Sequence, residues 1–112
     1  MFIKQLSVFI ENKEGRLGEV LDVLKKKQVS VISLSLADTS EYGLLRMITN
    51  DPQAGQAALK EQGFAVMLSD VLAVKLSHHV GSLQEILSHV CEAGLNVEYM
   101  YALSNKEDDA SI

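Results

Sequence analysis

The sequence predicts an α+β fold in which two helices cover one face of a four-stranded antiparallel sheet. The first observation is a strand, glycine turn, helix and strand pattern over residues 3–37. The second is a copy of this pattern over residues 69–103, at a constant offset of 66 that places Gly15 on Gly81. The third is the continuation of the first copy by a strand, a helix and a strand. Repetition of one supersecondary unit constrains the fold more than any single segment does.

The first copy opens with a strand, a turn and a helix. Apolar residues alternate along 3–10, as they do in a strand with one buried face. A polar turn cluster follows and ends in Gly15. The apolar residues of the helix recur at the spacing i, i+3, i+4 and i+7, which places them on one stripe: Leu17, Val20, Leu21 and Leu24.

Two strands are predicted next. Residues 29–36 are β-branched and aliphatic, interrupted by serines, which favours a strand. The alternation slips between Val31 and Ile32, which indicates either a β-bulge or burial on both faces. A turn predicted at 41–43 leads to the third strand, over 44–49.

A helix and a strand complete the first copy. Asp51 is a typical N-cap residue and Pro52 a typical first helical residue. The helix is rich in alanine, so it can approach a sheet closely. Gly63 ends it, and residues 64–68 are predicted as the fourth strand. The order βαββαβ is the split-βαβ or ferredoxin-like arrangement.

The chain divides into a first domain over residues 1–69 and a second domain over residues 70–112. The second copy has its first strand over 71–76, a helix and a second strand opened by Asn96. A polar segment over 104–109 is predicted as a hairpin turn. The rest of the second copy is missing, so we expect a truncated repeat; the alternative is that another chain completes it. An incomplete sheet leaves an unpaired edge and a bare apolar face, which are aggregation liabilities.

Composition and charge exclude several classes of function. The chain has 112 residues, 47% of them hydrophobic, which suits at most two very small globular units. Its net charge of −5 divides into −1 over 1–70 and −4 over 71–112, which argues against a nucleic-acid partner. Short apolar runs and a start without a secretory signal argue against a membrane. One cysteine, Cys91, fits a reducing, cytoplasmic setting.

The repeated glycine turn carries a family resemblance. The motif Asn-x-x-Gly-x-Leu occupies residues 12–17 between the first strand and the first helix, and Gly81-Ser82-Leu83 takes its place in the second copy. A βαββαβ unit with this turn resembles the ACT domain family, which comprises small regulatory modules that bind amino acids and related ligands. The whole chain looks like a stand-alone tandem ACT protein without an attached enzyme.

The turn has the chemistry to hold an amino acid. Gly15 permits positive φ, and the residues after it supply free N–H groups at a helix start, which can bind a carboxylate. The amide of Asn12 can both donate and accept. The resemblance implies a further polar contact from the start of a second strand in an adjacent module. The ligand-binding residues implied are Asn12, Gly15, Arg16, Leu17 and Ser30 in the first copy and His78, Gly81, Ser82, Leu83 and Asn96 in the second.

The turn departs from the family pattern at two positions. The residue before the glycine is Glu14 in one copy and Val80 in the other, where the family often has proline. His78 stands where the first copy has Asn12. The alternative interpretation is that both glycines only shape the turn.

No catalytic motif is present in the sequence. It lacks Gly-x-Ser-x-Gly, a phosphate loop and a recognisable Cys-His frame, so we expect no enzymatic activity and no cofactor. Adjacent strand residues such as His78 and His79 point to opposite faces, and the spacing of a structural zinc site is absent. An enzyme that binds metal through His78, His79 and His89 stays as a rival hypothesis.

These observations predict a cytoplasmic, non-catalytic regulatory protein that binds an amino acid or a similar metabolite at the glycine turn and at interfaces between modules. The alternative is a regulatory subunit that acts through protein contacts without a small ligand. A sheet covered on one side leaves its other face and its edges open. We therefore also expect a symmetric homodimer, formed by sheet extension or by face packing.

Overall fold

The computed structural model describes residues 1–38, 41–103 and 110–111. The chain divides into two compact units. The larger unit is Phe2–Leu72, and the smaller unit contains Met1 and Ala73–Ile112. The hairpin turn predicted at 104–109 lies outside the described residues. No helix in the described ranges is long and apolar enough to cross a membrane.

The larger unit has the predicted βαββαβ order. Its elements are β1 (Phe2–Glu11), α1 (Arg16–Lys26), β2 (Val31–Asp38), β3 (Tyr42–Thr49), α2 (Pro52–Glu61) and β4 (Ala65–Leu72). The strands lie in the order β2-β3-β1-β4, and each neighbouring pair is antiparallel. The predicted α+β, ferredoxin-like fold is therefore confirmed.

One face of the sheet packs on the helices. Leu6, Val8 and Ile10 of β1 point to this face and are buried, as the alternation predicted. On α1, Val20 and Leu24 are fully buried against them, whereas the other two residues of the predicted stripe are half-buried. The core cluster comprises Leu6, Val8, Ile10, Val20, Leu24, Val29, Leu45, Met47, Leu59, Phe64 and Val66.

Both ends of α2 follow the prediction. The Asp51 carboxylate accepts a hydrogen bond from the backbone N–H of Ala54 at 3.1 Å, and Pro52 begins the helix. Gly63, just after the helix, has φ +87°, the left-handed conformation typical of a helix terminator. Gly55 faces the sheet, where a Cβ would lie 2.9 Å from Leu6 Cδ1. The helix can approach β1 this closely because that position has no side chain.

The slip in the alternation of β2 is a β-bulge. The register between β2 and β3 shifts between Val31 and Ser33, so Ile32 has no regular partner and is exposed. The alternative, a strand buried on both faces, is wrong, because Ile32, Leu34 and Leu36 of β2 are exposed. The turn expected at 41–43 is also corrected: β3 already begins at Tyr42, which pairs with Glu11.

The smaller unit contains β5 (Lys75–Leu76), α3 (Ser82–Glu92) and β6 (Ala110–Ser111). The strand expected over 71–76 is formed only at its end, because Val71 and Leu72 extend β4 and pair with Ile3 and Phe2. β5 pairs antiparallel with β6, as β1 pairs with β3 in the larger unit.

The second strand expected after Asn96 is absent over 95–102. In the larger unit the corresponding strand, β2, pairs only with β3. In the smaller unit the equivalent of β3 is β6, which has two described residues. Tyr99 and Tyr101, expected to share one face of this strand, therefore do not lie on a regular strand.

Candidate functional site

The two glycine turns have the same backbone geometry. Gly15 has φ +86° and ψ −9°, and Gly81 has φ +88° and ψ −1°; each is the N-cap of its helix. The N–H of Glu19 donates to the Gly15 carbonyl at 3.0 Å, and the N–H of Glu85 donates to the Gly81 carbonyl at 3.0 Å. Because glycine has no side chain, neither helix start has a side-chain cap. N–H groups of the first turn are therefore left for solvent or a ligand.

Hydrogen bonds between serine hydroxyls and the backbone, called the hydroxyl network below, stabilise the turn of the smaller unit. Ser82 Oγ donates to the backbone carbonyl of His79 at 2.9 Å and lies 2.7 Å from Ser77 Oγ. A serine has one hydroxyl hydrogen, so Ser77 must donate in the second contact. The backbone N–H of Ser82 also donates to the His79 carbonyl, at 3.2 Å. The segment before the helix is thereby joined to the helix start.

A cavity of about 730 Å³ opens beside this turn. It collects four of the predicted ligand residues: His78, Gly81, Ser82 and Leu83. Its other lining residues are Leu76, Ser77, His79, Gln84, Leu87, Ser88 and Cys91. None of the lining residues is Asp, Glu, Lys or Arg. The surface is therefore mainly aliphatic, with hydroxyl, amide and imidazole groups at its polar positions.

The glycine-turn motif did not predict the helical wall of this cavity. Leu83, Leu87 and Cys91 lie at the spacing i, i+4 and i+8, and Gln84 and Ser88 lie on the adjacent stripe. That spacing was visible in the sequence, but an apolar stripe on a helix ordinarily indicates core. Here no residue of α3 is fully buried, so the stripe faces the cavity.

In the larger unit, the side chain of a turn residue, Arg16, lies in the space beside the turn. Arg16, the counterpart of Ser82, places its guanidinium 4.8 Å from the centre of the Phe64 ring and pairs with Glu19 at 2.6 Å. Its Nε atom is buried and has no hydrogen-bond partner among the described residues. Arg16 lines a groove of about 370 Å³ with Glu19, Asp22, Val23, Lys26, Lys27, Ala58, Gln62 and Phe64.

The other predicted ligand residues line neither of these two spaces. Asn12 is exposed, and its backbone N–H donates to the Glu41 carbonyl at 3.0 Å. Leu17 packs against the core cluster. Ser30 is exposed, and its backbone N–H donates to Asn50 Oδ1 at 2.8 Å. Asn96 is exposed. The structure thus brings together the predicted residues of the second turn but does not gather those of the first.

The described residues contain no group of three His, Cys, Asp or Glu side chains arranged to hold a metal ion. Cys91 is exposed and free. His89 lies 4.0 Å from Glu92 on the outer surface of α3, and it is not among the cavity-lining residues.

Comparisons with known proteins agree with this architecture. Protein BT0572 from Bacteroides thetaiotaomicron is 39% identical, with a TM-score of 0.90 over 99% of this chain and 76% of its own. The ligand-free regulatory subunit of aspartate kinase from Thermus thermophilus shares the fold at 17% identity, with a TM-score of 0.65 over 96% of this chain and 79% of its own. The corresponding subunit from Thermus flavus gives 18% identity and a TM-score of 0.69 over 99% and 83%.

The comparison with curated proteins gives no match. The family model described as ACT domain pair matches residues 1–108. That match spans both glycine turns and their helices, and its description as a pair agrees with the repeat at offset 66. The chain therefore belongs to the ACT domain pair family.

Proposed function

We propose that this protein is a cytoplasmic, non-catalytic regulator that binds an amino acid or a related metabolite in the cavity beside Gly81. Modules of its family are regulatory. The observation that carries the proposal is the convergence of His78, Gly81, Ser82 and Leu83 on one cavity. The resemblance of the glycine turn to the family motif had already implied these four residues as ligand contacts.

The geometry supports a carboxylate at the start of α3. The N-cap residue provides no side chain to accept from the first-turn N–H groups. The N–H groups of Ser82 and Glu85 are bonded to the carbonyls of His79 and Gly81, which leaves those of Leu83 and Gln84 as the donors for a ligand. The positive end of the helix dipole favours an anion at the same place.

The lining favours a ligand with an uncharged side chain. No cavity residue carries a carboxylate or an ammonium group to neutralise a second ligand charge. A charged side chain would gain no ion pair from a carboxylate or an ammonium group of this lining. Leu76, Leu83 and Leu87 instead offer apolar contact. We expect aliphatic or small polar amino acids to bind better than lysine, arginine, aspartate or glutamate.

Binding regulates by shifting an equilibrium between arrangements of modules. A ligand that binds one arrangement more tightly than another shifts the population toward the arrangement that it favours. This protein then transmits the presence of the metabolite to a partner. The exposed lone thiol of Cys91 suits the reducing conditions of the cytoplasm.

A second candidate is a subunit that acts through protein contacts alone. Large apolar side chains are exposed in the smaller unit, among them Val80, Leu95 and Val97. Exposed apolar surface marks protein contacts as well as ligand sites. This candidate predicts no stabilisation by any small molecule.

A thermal-shift screen of the full chain against the common amino acids separates the two candidates. We expect a concentration-dependent rise in Tm for at least one uncharged amino acid. Gln84→Trp is the test variant, because residue 84 is exposed and lines the cavity. Glu85→Trp is the matched control on the next exposed residue, outside the lining. Loss of the shift in the first variant and its retention in the second supports the cavity. No shift with any compound, or an equal shift in both variants, contradicts it.

A further inference from the structure

Two side chains on the helical wall of the cavity form a hydrogen-bonded pair. Gln84 and Ser88 both line the cavity, and Gln84 Nε2 donates to Ser88 Oγ at 3.0 Å. They lie on adjacent turns of α3, so their side chains are neighbours on one face of the helix. Gln84 is exposed and Ser88 is half-buried. This contact, called the amide–hydroxyl pair below, lies within the smaller unit, as do all the lining residues of the cavity.

The amide–hydroxyl pair keeps one donor and one acceptor besides its internal hydrogen bond. Ser88 Oγ accepts from Gln84, so the hydroxyl hydrogen of Ser88 is left as a donor and Gln84 Oε1 as an acceptor. With the amide turned by half a rotation, Ser88 donates to Oε1, and Nε2 and Ser88 Oγ become the remaining donor and acceptor. Neither side chain makes another hydrogen bond within the described part of the chain. Both orientations therefore offer a donor and an acceptor to a ligand.

The other polar side chains on or next to this wall have less to offer. Ser82 Oγ donates its hydrogen to the His79 carbonyl, and Ser77 donates its hydrogen to Ser82 Oγ. The remaining lining residues of α3 are two leucines and Cys91, whose thiol is a weak hydrogen-bonding group. On the wall formed by α3, the amide–hydroxyl pair is thus where a polar ligand group meets both a strong donor and an acceptor.

We propose that the amide–hydroxyl pair selects amino acids with a side-chain carboxamide, asparagine or glutamine, as ligands of this cavity. The inference rests on the proposed function, because it requires an amino acid bound with its carboxylate at the start of α3. A primary carboxamide presents a carbonyl acceptor and an N–H donor side by side on two atoms. That arrangement complements the donor and the acceptor that the pair keeps.

The pair lies close enough to the helix start for one amino acid to contact both. The N–H groups left for the carboxylate are those of Leu83 and Gln84. Ser88 follows Gln84 by about 6 Å along the helix axis, at about 1.5 Å per residue. Helical side chains tilt toward the N-terminus, which brings the Ser88 hydroxyl nearer to the helix start. A ligand carboxylate at the N–H groups therefore places its side chain beside the pair.

Other ligand side chains leave part of the pair unmatched. A carboxylate only accepts, so it offers nothing to the acceptor of the pair, and an ammonium group only donates, so it offers nothing to the donor. An aliphatic side chain displaces water from both groups and returns no hydrogen bond. Because the pair is partly open to solvent, we expect a preference of about tenfold over an aliphatic side chain of similar size.

Isothermal titration calorimetry on the full chain tests the preference. L-methionine serves as the apolar counterpart of L-glutamine at similar length, and L-leucine as the counterpart of L-asparagine at similar shape. We expect glutamine or asparagine to bind about tenfold more tightly than its counterpart. Glutamate and aspartate, in which a carboxylate replaces the amide, should also bind at least about tenfold more weakly than the matching carboxamide.

Two variants assign the preference to the pair. Gln84→Leu removes the amide at similar volume, so the affinity ratio between the carboxamide and its apolar counterpart should fall to about one. Ser88→Ala removes the hydroxyl and keeps the amide, so the ratio should fall about threefold. Glu85→Leu is the matched control, because it changes the next exposed residue outside the lining, and it should keep the wild-type ratio. Circular dichroism and Tm confirm that each variant is folded.

The outcomes separate this inference from the proposed function. If uncharged amino acids bind and Gln84→Trp abolishes their binding, but each carboxamide binds no better than its counterpart, the cavity is the ligand site and the carboxamide preference is wrong. A preference that is unchanged in Gln84→Leu or in Ser88→Ala would also overturn the inference, because the carboxamide would then be recognised without the pair. If none of these amino acids binds, the proposed function is wrong, and this inference with it.

Discussion

Gly15 and Gly81 have φ angles of +86° and +88° and lie 66 residues apart, each as the N-cap of a helix. Beyond the adjacent residues, a Cβ at either position would have no atom within 4 Å in the part of the chain that the structure describes. Backbone conformation, and not the proximity of protein atoms, therefore explains the glycine at this turn. The repeat consequently preserves a turn geometry while its neighbours, Arg16 and Ser82, differ.

The first prediction separates conformation from space. Gly15→Ala should lower the free energy of unfolding by about 1–2 kcal/mol, because an L-residue is strained in the left-handed region. Gly18→Ala is the matched control in α1, where a Cβ also meets nothing within 4 Å and φ is not positive. It should stabilise by up to about 1 kcal/mol through helix propensity. Urea unfolding followed by circular dichroism measures both, and equal effects would contradict the account.

The second prediction concerns the close approach of α2 to β1. Gly55→Ala should destabilise by about 1 kcal/mol, because the added methyl overlaps Leu6 Cδ1 at 2.9 Å by more than the gain in helix propensity offsets. Leu6→Val shortens the opposing side chain. In the Gly55→Ala background it should therefore cost less than in the wild type. Additive effects in this double-mutant cycle would show that the two side chains do not compete for the same space.

The third prediction addresses the hydroxyl network beside the cavity. Ser77→Ala should destabilise the turn by about 0.5–1.5 kcal/mol, the value of one hydrogen bond, and Ser82→Ala should cost more, because Ser82 Oγ also donates to the His79 carbonyl. The double variant should cost less than the sum, because both changes remove the same contact. Hydrogen exchange at the backbone amides of α3 reports the loss locally. If the losses of unfolding free energy in the two single variants add fully in the double variant, the two hydroxyls do not share a hydrogen bond.

The fourth prediction concerns Glu11. A hydrogen bond from Lys13, and then its charge, hold the pKa of this carboxyl below its ordinary value of 4.5; the two side chains form an exposed ion pair at 2.8 Å. A lowered pKa in the folded state stabilises the protein above pH 4.5, and that contribution is lost as the pH falls through the lowered value. Lys13→Gln should move the pKa up towards 4.5, and Lys13→Arg should not. An NMR titration of the Glu11 carboxyl carbon measures the change, and an unmoved pKa in Lys13→Gln would refute the assignment.

The local patterns of the sequence were sufficient for most of the larger unit. The alternation of Leu6, Val8 and Ile10, the cap at Asp51 and the glycine turns each depend on neighbouring residues, so they could be interpreted without a structure. The offset of 66 then predicted the same turn geometry at Gly81, and the structure agrees. Even the bulge in β2 was signalled by the break in alternation at Ile32.

Only the tertiary structure decided which predicted elements persist and which turn opens on a cavity. The strand expected after Asn96 depends on a partner strand, and neither segment by itself determines whether the two strands pair. Likewise, the side chain of Arg16 rests on Phe64, which is distant in sequence, whereas Ser82 bonds to the nearby Ser77 and lines an open cavity. A residue's type and spacing determine what it can form, but long-range packing determines what remains accessible to a ligand.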